Sequence, residues 1–99
     1  MTKVKIELVT ELNLAKFTLY LSETSKVDLP QISGEYSIDL VTGTYDIAVA
    51  SKGNEEGKKA KFIFSSGEST VRKSVRAGKS GKAAGFVQFT LKADGGLEA

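Results

Sequence analysis

The chain has no cysteine, no histidine, no tryptophan and one proline among its 99 residues. Without cysteine there are no disulfides and no thiolate metal sites. Without histidine the commonest general base, the usual metal ligand and every Ser-His triad are excluded. No apolar run approaches the roughly 18 residues of a membrane span. The start, Met1-Thr2-Lys3-Val4-Lys5-Ile6-Glu7, alternates charged and apolar residues and does not read as a signal peptide. It points to cytoplasmic synthesis and leaves the final location open.

What is present is alternation. Val4, Ile6 and Leu8 interleave with Lys3, Lys5 and Glu7; Phe17, Leu19 and Leu21 interleave with Lys16, Thr18 and Tyr20. The same period recurs at Tyr36-Ile38-Leu40, Tyr45-Ile47-Val49, Phe62-Phe64, Val71-Val75 and Val87-Phe89-Leu91. Period 2 is the mark of strands with one buried face. Turn signals fall between the runs at Glu11-Leu12-Asn13, Ser33-Gly34, Thr42-Gly43, Gly53-Asn54, Ser66-Gly67 and Gly78 to Gly85. Thr42-Gly43, between two alternating runs, reads as a tight hairpin.

About seven short strands separated by turns predict an antiparallel all-β sandwich, with an OB-like barrel as the other strand order. Residues 10–21 have two readings, a strand through Phe17 to Leu21 or a helix capped by Thr10 with Leu12, Ala15 and Leu19 on one face. A single domain over 1–94 is expected, with a flexible tail at 95–99. A chain of this size buries roughly 64% of its unfolded surface, enough for one core.

Charge is uneven. Residues 1–51 carry net −3, residues 52–82 net +6 and residues 83–99 net −1. Arg72, Lys73, Arg76, Lys79 and Lys82 place five cations in eleven residues with no acid among them. With Gly78, Gly81 and Gly85 nearby, this stretch reads as a mobile basic hairpin loop suited to phosphates or an acidic surface. Phe62, Phe64, Phe86 and Phe89 would add stacking faces if exposed and core if not. Tyr20, out of phase with its apolar neighbours, joins the candidate contact surface. Tyr36 and Tyr45 belong to inner faces, their hydroxyls at the rim.

Catalytic patterns are thin. Glu55-Glu56 lies in a Gly-bounded turn without the alternate spacing of a calcium loop. Asp39 and Asp46 flank Thr42-Gly43 and would meet across a hairpin there. Gly78-Lys79-Ser80 lacks the earlier glycine of a phosphate-binding loop, a place taken by Lys73, and a strand follows instead of a helix. No catalytic residue, cofactor or metal is assigned.

The segment Gly34-Glu35-Tyr36-Ser37-Ile38-Asp39-Leu40-Val41-Thr42-Gly43-Thr44-Tyr45-Asp46-Ile47 carries Gly-x-Tyr twice, each opening an alternating strand. In this it resembles carboxypeptidase regulatory-like or transthyretin-like sandwich domains, in the form seen in N-terminal domains of phage tail fibre proteins. The resemblance implies an Ig-like or transthyretin-like β-sandwich and a non-catalytic module that joins, spaces or docks other proteins. A phage virion or another assembly is the setting it suggests, with a protein partner or self-association. Nucleic-acid or polyanion binding through 72–82 is the alternative.

Overall fold

A computed structural model describes residues Met1–Ala99. The chain forms nine strands and no helix: β1 (Thr2–Thr10), β2 (Lys16–Tyr20), β3 (Lys26–Leu29), β4 (Gly34–Leu40), β5 (Gly43–Ser51), β6 (Lys59–Ser66), β7 (Ser69–Arg76), β8 (Ala83–Leu91) and β9 (Leu97–Glu98). All pairings are antiparallel. They build a four-stranded sheet, β4-β1-β6-β7, and a five-stranded sheet, β3-β2-β5-β8-β9. No backbone pairing joins the two, so the strands do not close into one barrel.

The alternating residues explain the arrangement. Val4, Ile6, Leu8, Phe62 and Phe64 point from the first sheet; Phe17, Leu19, Ile47, Val87 and Phe89 point from the second. They merge into one cluster of 22 buried apolar residues between the sheets, a sandwich-like packing. Aromatic rings thread it. Phe17 meets Phe62 edge-on at 5.6 Å, and Phe64 stacks on Phe89 at 4.3 Å, each pair linking opposite sheets. Tyr45 extends the row, 5.5 Å from Phe89.

Three expectations are corrected and one open choice, at residues 10–21, is resolved as strand. Two strands are added to the seven, β3 and β9. Residues 10–21 hold no helix; β1 runs to Thr10 and β2 starts at Lys16. Thr42-Gly43 is not a hairpin turn, because β4 and β5 lie in different sheets and the chain crosses between them there. This also places Asp39 and Asp46 on different sheets rather than opposite each other. Finally, 95–99 is not a loose tail. Leu97 is buried and pairs with Leu91, and Ser66 Oγ donates to the Gly95 carbonyl at 2.6 Å.

The two Gly-x-Tyr units share a device. Tyr36 Oη donates to the Ile32 carbonyl at 2.8 Å, and Tyr45 Oη donates to the Val41 carbonyl at 2.6 Å. Each ring folds back over its glycine to reach the carbonyl four residues upstream, as in a tyrosine corner. A Cβ on Gly34 would lie 3.1 Å from Tyr36 Oη. The hydroxyl bonds pin both strand entries. Tyr45→Phe keeps the packed ring and removes one bond, so it is expected to lower unfolding free energy by about 1 kcal/mol. Urea denaturation measures this, and an unchanged midpoint would deny the bond its role.

Candidate interaction surfaces

The basic segment is mostly strand and a hydrogen-bonded turn, and its cations do not form one surface. Residues 69–76 are strand β7, so alternation divides its side chains. Arg72 and Arg76 face outward, while Lys73 lies on the inner side between Val71 and Val75. Ala77 is buried, its N–H donating to the Lys58 carbonyl at 2.8 Å. The 78–82 turn closes on itself, with Gly78 N–H donating to the Lys82 carbonyl at 3.0 Å.

A hub holds this turn down. Asn54 N–H donates to the Gly81 carbonyl at 3.1 Å, and Asn54 Nδ2 donates to the same carbonyl at 2.9 Å and to Ser51 Oγ at 3.0 Å. Its Oδ1 accepts the Asn13 N–H at 2.6 Å, and Ser51 Oγ donates to the Asn13 carbonyl. One side chain thus ties together the connections after β1, β5 and β7. Gly81 is inside this knot.

Lys79 sits exposed on the turn, and Lys82 points to the five-stranded side beside Lys52 and Leu14. Tyr20 is partly exposed on the outer face of that same sheet, opposite Asp46. The six candidates are therefore spread over both faces, the inner side and a loop tip.

What the fold does bring together is different. On the outer face of the four-stranded sheet, Lys59 sits opposite Arg76, Lys61 opposite Ser74 and Ile63 opposite Arg72. Lys59, Lys61, Arg72 and Arg76 form no ion pair. Across the same face the sign reverses. Glu7 sits opposite Glu35 and Lys3 opposite Asp39, and β4 carries acids and no base. The face runs from an acidic edge at β4 to a basic edge at β7. Lys59 and Lys61 escaped the linear reading because register, not sequence distance, sets them beside Arg72 and Arg76.

The phenylalanines divide cleanly. Phe62, Phe64 and Phe89 are fully buried, and Phe86 is 69% exposed on the outer face of the five-stranded sheet. Around it that face is small and apolar, with Ala48 opposite Phe86 and Ala50 opposite Ala84. A shallow groove beside it is lined by Tyr20, Leu21, Ser22, Glu23, Thr44, Asp46 and Phe86, and is more polar than the alanine stretch. Farther along, Leu14 is 79% exposed with φ of 49°, a left-handed backbone uncommon for leucine. No protein-family model matches the chain, and comparison with curated proteins and with solved structures finds no match.

Proposed function

We propose that the protein is a non-catalytic structural and protein-interaction module that assembles through its strand edges. One observation carries this reading. Both edges of the four-stranded sheet are long and open, and they carry opposite charge: Glu35 and Asp39 on β4, Arg72 and Arg76 on β7. Open edges of this length are templates for pairing unless blunted. The exposed Phe86 and its alanine-lined surroundings add a second contact face. The finer type of the sandwich, Ig-like or transthyretin-like, belongs to the same proposal and is supported by the paired Gly-x-Tyr corners. A component of a virus particle or of another surface assembly fits such a module.

Sedimentation velocity over a wide concentration range at low salt tests it. The mass should grow with concentration. A strict monomer up to the solubility limit contradicts the reading.

A second reading has its own support. Lys59, Lys61, Arg72 and Arg76 are clustered and unneutralised, and a shallow groove at the middle of the cluster is lined by Lys61, Arg72, Lys73 and Ser74. A polyanion would bind there by replacing counterions. Fluorescence anisotropy of labelled oligonucleotides across a salt series decides it. Binding that tightens steeply as salt falls supports it, and no binding at low salt removes it.

A further inference from the structure

Resting on the assembly reading, we infer that the partner is a second copy of this chain, joined head to tail by antiparallel pairing of β7 with β4. The main chain supplies the first argument. Ser66 and Ser69 close a two-residue hairpin, and Ala77 N–H bonds to Lys58. In an antiparallel ladder successive residues bond to opposite sides. Val71, Lys73 and Val75 therefore bond to β6, and Arg72, Ser74 and Arg76 turn their N–H and C=O to the open edge. By the same count, the Glu11 N–H bond to Lys59 assigns odd positions of β1 to β6 and even ones to β4. Tyr36 and Ile38 then bond to β1, leaving Glu35, Ser37 and Asp39 free.

Register and polarity supply the second. Opposing Ser37 to Ser74 sets Glu35 against Arg76 and Asp39 against Arg72. All six residues have free main-chain groups and outward side chains. Slipping by two residues in either direction keeps the phase and loses both charge pairs. On the inner face Tyr36 meets Val75 and Leu40 meets Val71. Because the order β4-β1-β6-β7 is antiparallel throughout, β4 and β7 run oppositely. A neighbour placed by translation across the strands, without inversion, therefore presents β4 antiparallel to β7.

Existing repulsion supplies the third. Glu35 lies opposite Glu7, and Arg76 lies opposite Lys59. Like charges directly opposed destabilise a sheet. Each gains an opposite charge in the joint. Glu35 has only a long contact to Lys5, 3.9 Å with both side chains about half exposed. Lys73, inward and opposite Ile38, is the kind of charge that discourages indiscriminate pairing. It keeps the joint weak and dependent on the two ion pairs. The contact is heterologous, so it propagates, at about 19 Å per four-stranded copy.

Charge reversal tests the joint. Arg72→Glu with Arg76→Glu makes both edges acidic; Glu35→Arg with Asp39→Arg makes both basic. Each double variant, with its fold checked by circular dichroism, should sediment as a monomer where the wild type associates. An equimolar mixture should associate again. Ser74→Pro removes one outward donor without touching the β6 ladder, and it too should be monomeric. Association that persists in both double variants, or a mixture that stays monomeric, overturns the joint and leaves the assembly reading standing. A monomeric wild type overturns both.

Discussion

Replacing Phe64 by alanine is expected to cost about 3–5 kcal/mol of unfolding free energy. The ring is fully buried on β6, stacked at 4.3 Å on Phe89 of the other sheet and at 6.1 Å from Phe62 beside it. Its removal takes away the contact that holds the sheets together at that level, and the stiff ladders on either side cannot collapse to refill the space. A domain of this size typically has about 5–15 kcal/mol in total, so the variant stands near its folding limit. For a domain of up to about 100 residues each kcal/mol is worth about 4–8 °C, so the melting temperature should fall by roughly 20 °C. Phe86→Ala is the matched control. Its ring is exposed on the outer face, and its loss should change stability by less than about 0.5 kcal/mol. Thermal and urea denaturation of the two variants measure both. Equal effects would mean that the two faces of the sandwich have been misassigned.

Gly81→Ala is expected to cost about 3 kcal/mol, far more than a turn glycine usually does. Two physical terms combine. The backbone sits at φ +79°, where an L side chain is strained by about 1–2 kcal/mol. The new Cβ would also lie 2.8 Å from the Asn54 carbonyl oxygen and 3.3 Å from its nitrogen. Asn54 cannot step aside, because its hydrogen bonds to Gly81, Ser51 and Asn13 fix it from three directions. Gly57 separates the terms. It has φ +89° but nothing within 4 Å of its Cβ position. Gly57→Ala should therefore show the strain alone, about 1–2 kcal/mol. Equal costs at the two positions would mean that the Asn54 knot yields. Asn54→Ala should partly relieve Gly81→Ala, which a double-mutant cycle detects.

The sequence and the structure agree where the physics is local. Each alternating run, from Val4-Ile6-Leu8 to Val87-Phe89-Leu91, is a strand with those residues inward, except that β2 ends at Tyr20, one residue short of Leu21. The outward position of Phe86 follows from the same phase, one residue before Val87. Alternation does not say which sheet a strand joins. Thr42-Gly43 has the composition of a hairpin, yet it carries the chain across the core, because the ladder partners of β4 and β5 are β1 and β2, distant in sequence. β3 and β9 were too short to read, at four and two residues. The basic run 72–82 was visible as composition but not as shape. Period 2 turned Lys73 inward, Asn54 tied down the turn, and pairing with β6 assembled a different cluster with Lys59 and Lys61. The acidic face of β4 against the basic face of β7 emerges only after β1 and β6 are laid between them.

Amide hydrogen exchange followed by NMR at low and high protein concentration tests the assembly most directly. In dilute solution Glu35, Ser37, Asp39, Arg72, Ser74 and Arg76 should exchange fast, while Tyr36, Ile38, Val71, Lys73 and Val75 are protected. On concentration at low salt, those six amides should gain protection together and lose it again when salt is added. If the six stay fast while the protein sediments as an oligomer, or are protected already when dilute, the head-to-tail edge account is wrong.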